Sequence, residues 1–380
     1  MALRSFLLAP VLATAAVGSV IDLDIKVRNG YRTIEVDLGT PGGPYDLLYD
    51  TGSTDLWVLD GQCTDATCPN GSGYPRHKYN LTSTGRSLGL NGSIEYSGGT
   101  VEGYSASDIL SLPGTNVSYR QSFLIATDST WAALGADGFL GLGSSTIAIN
   151  NATAPFEQMM QDGLLDHPRF AIYAGKGVST TSDPNPTNNG VFTLGGSHED
   201  IYADGELQWL QTESPFEIFK TGLYGMQGHN TTSDGKNQST ELLNWYGTAI
   251  FDTGASAIEI PEQYIDEVYA MTPFKYADLL NGYRPLCSEF NETWSVSFTI
   301  GFYGEAPTFT LTGDQLAVPG YQDDEHCFPP FNAWNSFNTI FGQHWMQNFY
   351  MVYDFGSFEP ESYNIRLGIA PLKKEYRHRV

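Results

Sequence analysis

Leu47-Leu48-Tyr49-Asp50-Thr51-Gly52-Ser53 and Ala249-Ile250-Phe251-Asp252-Thr253-Gly254-Ala255 are two versions of one heptapeptide, one in each half of the chain. Each delivers a single carboxylate at the end of an apolar run. Such a run ending in Asp-Thr-Gly reads as a strand leaving a core into a tight turn, where Gly accepts backbone angles that other residues resist. One Asp-Thr-Gly would read as a solvated turn. Two flanked copies read as an internal duplication, and Phe139-Leu140-Gly141 and Ile340-Phe341-Gly342 follow the two Asp at nearly equal spacing.

On these residues the chain resembles the pepsin-like aspartic proteases, as a secreted, fungal-type member, from about Tyr31 to Leu372. The resemblance implies an all-β, bilobal fold with a few short helices: two β-rich lobes related by a pseudo-two-fold axis, with a cleft between them. It implies an aspartic-type endopeptidase whose catalytic pair is Asp50 and Asp252. Thr51, Gly52, Ser53, Thr253, Gly254 and Ala255 would support the two catalytic loops, the threonines by cross-lobe hydrogen bonds and the glycines by leaving room for N–H groups. Phe139-Leu140-Gly141 and Ile340-Phe341-Gly342 would cross beneath. No cofactor and no metal is implied; the expected partners are peptide or protein substrates and pepstatin-type inhibitors, with the chain a monomer.

The totals agree with that picture. A chain of 380 residues is long for one core, which favours two domains. With 41 Gly and 20 Pro and little helical periodicity, it has the turn-rich composition of an all-β protein. Asp and Glu outnumber Lys and Arg by 43 to 19, a formal charge of −24, which argues against nucleic acid and anionic membranes as partners. It suits service in acid, where protonation relieves the self-repulsion.

Met1 to Ser19 has one Arg, an apolar run from Phe6 to Val17 and small residues after it, the pattern of a secretory signal peptide. Residues 20–205 would form the first lobe with its catalytic Asp and flap, 206–372 the second lobe, and 373–380 a basic tail. No other stretch is apolar enough to span a membrane, so no membrane anchor is expected and the product should be extracellular. Eight Asn-x-Ser/Thr acceptors fit export: Asn70, Asn80, Asn91, Asn116, Asn151, Asn230, Asn237 and Asn291. The four Cys allow three pairings; Cys63–Cys68 and Cys287–Cys327 fit one bridge per lobe, and the resemblance supports that choice. It also implies a basic pro-segment, yet only a short stretch with few Lys or Arg separates Ser19 from Tyr31, so activation is expected to differ or the segment to be missing.

Ser93 to Gly103 alternates apolar residues around Gly98-Gly99, a β-hairpin signature. By resemblance it is the flap over the substrate, with Tyr96, Ser97 and Gly98 at its tip and Trp57 a hydrogen-bond partner for the Tyr96 hydroxyl. Elsewhere strands are expected around Phe123, Phe139, Phe170, Leu207–Leu210, Phe216–Phe219 and Trp294–Ile300. Helices are expected near Phe156–Gly163 and from Pro261, and polar loops at Ser182–Gly190 and Gly228–Thr240.

Amide hydrolysis needs water to lose a proton while the carbonyl oxygen gains one. Two carboxyl groups roughly 3 Å apart cannot both ionise readily, so they share a proton and offer acid and base together; the aspartic-protease dyad is itself the standing example. The copies differ after the second Gly: Ser53 can donate to its carboxylate and Ala255 cannot, which should raise the pair's affinity for its proton. Apolar pockets near Leu48, Tyr96, Trp131 and Phe139 imply hydrophobic and aromatic residues around the cut. Some fungal relatives accept Lys there through a flap Asp, but Gly98 stands at the matching place. A binding protein that has lost its chemistry would be expected to lack an Asp or its Gly, and a two-carboxylate glycosidase would leave the duplication unexplained.

Overall fold

Ile21 to Leu38 alternates apolar and polar residues, and Ile25, Val27, Ile34, Val36 and Leu38 are buried to 1% exposure or less. That period of two makes a pair of antiparallel strands, Ile21–Arg28 and Tyr31–Leu38. The computed structural model describes residues 18–28, 30–175, 187–231, 237–243, 247–302, 304, 306–320 and 325–377. Most of the expected signal peptide, most of the Ser182–Gly190 stretch and the last three residues of the basic tail lie outside them.

The described strands form two sheets, and the short helices sit between strands. The larger sheet is built from both halves of the sequence. Arg169–Tyr173 pairs on one side with Thr187–Leu194 and on the other with Phe349–Asp354, which continues to Arg366–Pro371 and Gln208–Gln211. Buried Asp354 fixes this junction by accepting from Arg169 at 2.9 Å and Arg366 at 3.0 Å. At its other end the sheet passes through Gly43–Asp50, Gly138–Gly141, Leu56–Leu59 and Ser118–Ser129 to the hairpin of Gly99–Ser111 and Arg86–Tyr96.

The duplication reappears as matched parallel pairs. Gly43–Asp50 lies beside Gly138–Gly141 with Asp50 opposite Gly141, and Gly247–Phe251 lies beside Asn338–Phe341 with Phe251 opposite Phe341. In the first pair, parallel strands buried on both faces need a continuous apolar run, which is why Leu47-Leu48-Tyr49 does not alternate, whereas Gly247–Phe251 buries every second residue. One hydrophobic cluster runs through both halves, while a second, with Leu48, Trp57, Val101, Leu124 and Phe139, lies under the hairpin.

Three sequence expectations need correction. Phe216–Phe219 is not a strand: Pro215 has no N–H for a ladder, and the Glu217 carbonyl is taken by Ser144 N at 2.7 Å, so pairing begins only at Lys220. Gly228–Thr240 is not simply a loop, because Lys220–Thr231 and Asn237–Leu243 pair as hairpin arms with His229 opposite Ser239. Strand ends written mostly in Gly, Asn, Ser and Thr look like loop composition. Pro261 ends a strand, Ile258–Pro261, and the helix begins at Ile265 after a 3₁₀ turn. The expected helix near Phe156 is present as Pro155–Gln161. Among the described residues no helix is long and apolar enough to cross a membrane.

Candidate active site

Both Asp-Thr-Gly turns leave their strands toward each other. Thr51 N donates to Thr253 Oγ1 at 2.9 Å, and Thr253 N returns the bond to Thr51 Oγ1 at 3.0 Å. Each hydroxyl then donates across the axis to the strand behind the other Asp, Thr51 to Phe251 O and Thr253 to Tyr49 O, both at 2.7 Å. Four reciprocal bonds between buried partners lock the loops as a two-fold pair.

Asp50 and Asp252 are thereby brought side by side, with Oδ1 of Asp50 2.6 Å and Oδ1 of Asp252 3.1 Å from the place a Cβ on Gly254 would take. Gly52 N donates to Asp50 Oδ1 at 2.9 Å and Gly254 N to Asp252 Oδ1 at 2.7 Å. The glycines are required for space. Neither has a positive φ, contrary to the expectation of an unusual backbone angle, but a Cβ on Gly52 would lie 2.4 Å from Asp252 Cγ and one on Gly254 2.6 Å from Asp50 Oδ1. Any side chain would strike the opposite carboxyl group.

The surroundings of the two acids are unequal. Ser53 Oγ donates to Asp50 Oδ2 at 2.5 Å, whereas Ala255 offers Asp252 no hydroxyl. Burial, then the charge of Asp50 and the hydrogen bond with it, raise the Asp252 pKa well above the ordinary carboxylate range, against the Gly254 and Ala255 N–H groups. Asp252 is thereby held toward its protonated form.

The acids open into a cleft of about 690 Å³, lined by Tyr96, Ser97, Gly98, Trp131, Phe139, Ile147, Ile149, Trp334 and Ile340 among others. The hairpin turn Ser97-Gly98 closes over it, with Tyr96 opposite Gly99. Trp57, fully buried, donates from Nε1 to the Tyr96 hydroxyl at 3.0 Å. The Tyr96 ring packs against Trp131 and Phe139. Leu48, expected to form a pocket wall, lies instead in the cluster beneath and does not line the cleft. It follows Leu47 on a strand buried on both faces, so neither side of that strand meets solvent.

Sequence reasoning passed over three residues. Asp55 lines the cleft, accepts from Ile149 N at 3.1 Å, and burial pushes its pKa up to about 6. Its counterpart in the second copy is Ala257, an asymmetry readable from the aligned repeats. Glu259 also lines the cleft, its pKa raised by burial. Gln343, beside Gly342, donates from Nε2 to Thr253 O at 2.6 Å and so props the second loop; no local pattern announces it.

Cys63–Cys68 and Cys287–Cys327 are disulfides. Asn70, Asn80, Asn91, Asn116 and Asn151 are exposed, while Asn230 and Asn291 are half-buried; the Asn237 side chain lies outside the described residues. Among the described residues no group of three or more His, Cys, Asp or Glu is placed to hold a metal.

Duplicated strands in both halves and two carboxyl groups set side by side by paired Asp-Thr-Gly turns define a class, and comparison with known proteins gives the family. The eukaryotic aspartyl protease family model matches residues 31–362, and the chain belongs to that family. It is an aspartic-type endopeptidase of the pepsin-like kind. It is 29% identical to Cathepsin E-A of Xenopus laevis over 89% of this chain and 78% of the relative. It is 28% identical to a vacuolar aspartic protease of Candida albicans over 91% of this chain and 76% of that one. It is 27% identical to Rhizopuspepsin-3 of Rhizopus niveus over 92% and 81%.

Proposed function

We propose that Asp50 and Asp252 are the catalytic pair, Asp50 the base and Asp252 the acid. The observation that carries this reading is the close approach of the two carboxyl groups, with Ser53 donating to Asp50 and Asp252 held above the ordinary carboxylate range. Asp50 takes a proton from a water as its oxygen attacks the peptide carbonyl carbon. Asp252 gives its proton toward the carbonyl oxygen, and the carboxyl groups exchange roles as the nitrogen is protonated and leaves. Thr51 and Thr253 hold the geometry, and Gly52, Gly254 and Ala255 shape it. The flap residues Tyr96, Ser97 and Gly98 cover an extended peptide bound by main-chain hydrogen bonds, with Trp57 fixing Tyr96.

The aromatic and aliphatic cleft wall supports a preference for hydrophobic residues around the cut. Dominant cleavage after Lys in a peptide library would overturn it. Export of the chain as a monomer, glycosylation at exposed acceptors, inhibition by pepstatin-type compounds and a lobe boundary near residue 205 belong to the same reading. The leader, the acceptor motifs and the acidic composition support export.

The test is hydrolysis of a denatured protein at acid pH. Asp252→Asn should lower kcat by at least about a thousandfold, and a pepstatin-type inhibitor should abolish the wild-type rate. Full activity in Asp252→Asn would end the assignment.

A further inference from the structure

A second cavity, of about 190 Å³, shares only Ser256 with the cleft. Three polar side chains in its wall, Arg32, Gln343 and His344, are at most 6% exposed, and each keeps a buried atom without a partner among the described residues. Arg32 Nε reaches Ala174 O at 3.3 Å, but its Nη2 is unpaired; so are Gln343 Oε1 and His344 Nδ1. A buried guanidinium without a counter-charge costs several kcal/mol, and each orphaned polar atom adds to that. The rest of the wall is mixed, with Ala257, Val318, Phe328 and Pro329 beside the polar Ser256, Asn332 and Gln347.

One cationic donor and two acceptors, Gln343 Oε1 and His344 Nδ1, set in a wall of mixed polarity, specify a ligand. We propose that this cavity binds a small aliphatic hydroxycarboxylate, its carboxylate on Arg32 and its hydroxyl donating to Gln343. Val318, Phe328 and Pro329 take the aliphatic part, and the two unpaired acceptors disfavour a carboxylate without a hydroxyl and an anion whose oxygens all carry charge. The site is coupled to the second Asp-Thr-Gly loop. Gln343 donates to Thr253 O through Nε2 and to Ala255 O through its backbone N at 2.9 Å, and His344 N donates to Ser256 O at 3.0 Å. An occupant steadies the residues that hold Asp252, so the ligand acts as an effector bound apart from the substrate.

Calorimetric titration of the full chain with L-lactate tests this independently of hydrolysis, with acetate and inorganic phosphate as comparison arms. The expected result is saturable one-to-one lactate binding and a raised Tm. Acetate, which leaves the Gln343 oxygen unpaired, should bind at least about tenfold more weakly, and phosphate more weakly than lactate. Arg32→Met should abolish binding, as should Val318→Phe, which fills the cavity with Arg32 intact and decides the matter if Arg32→Met does not fold. No saturable lactate binding, equal or tighter binding of acetate or phosphate, or undiminished binding in either folded variant overturns the proposal.

Discussion

Ser53 and Ala255 occupy equivalent places in the two copies, yet only the first donates to its carboxylate. Giving Asp252 a hydroxyl donor stabilises its ionised form, so Ala255→Ser should move the acid limb of the pH–rate profile downward. A limb that stays put or moves up would refute this. Gly52→Ala is the matching steric experiment. Its Cβ would fall 2.4 Å from Asp252 Cγ, on a group that four cross-lobe bonds leave no room to retreat, so activity should drop by orders of magnitude. The measurement is kcat on folded protein, and a near-normal value would contradict the rigidity of the pair. These residues were legible in the sequence because the repeat marked them twice. The reason for the glycines was not, since the obstacle comes from the other half of the chain.

At the scale of elements the hairpin carries the argument. Its arms and turn could be read from alternation around Gly98-Gly99, but its seat depends on Trp57, whose Nε1 donates to Tyr96 across a strand. Trp57→Phe keeps the packing with Phe139 and removes that bond, a loss of about 1 kcal/mol, so kcat/KM should fall about fivefold. Because the dyad is untouched, the limbs of the pH–rate profile should not shift, and a shifted limb would show that Trp57 acts on the acids themselves. A Cβ at Gly98 would meet the Trp131 ring at 2.5 Å, so a flap Asp at this place would require Trp131 to move. The stretch Gly228–Thr240 reads as loop because its strand ends, Gly228–Thr231 and Asn237–Thr240, are written mostly in Gly, Asn, Ser and Thr and lack the hydrophobic alternation that identifies strands.

For the whole molecule the question is which way stability runs with pH. Asp55 binds its proton more tightly folded, near 6, than unfolded, near 3.8, so its contribution of about 3 kcal/mol is full below 3.8 and lost as pH rises through 6. His344, lowered by burial and then Arg32 from 6.5 to about 4, contributes a similar amount with opposite sign: full above 6.5, lost as pH falls through 4. These two nearly cancel. The balance is decided by Asp252, whose raised pKa favours acid, and by relief of the −24 charge. Asp46 sets a floor: burial alone would raise its pKa, but Lys26 and Arg28 bring it below 3.8, and that stability goes as pH falls below it. Urea unfolding should therefore give a higher midpoint at about pH 4.5 than at pH 7.5, and Asp55→Asn should shrink the difference. A higher midpoint at pH 7.5 in the wild type would refute the ledger of signs.

The chain's own sequence determined the duplicated strands, the two acids and the hairpin around Gly98-Gly99, because each is written in local composition or in a repeat. Tertiary structure alone decided that Gly52 must be bare, that Asp55 and Glu259 face the cleft, that Leu48 does not, and that Arg32, Gln343 and His344 meet around one cavity. The physical reason is common to all of these. Each depends on what a distant segment places within a few ångströms, and neither hydrophobic period nor turn chemistry carries information about that approach.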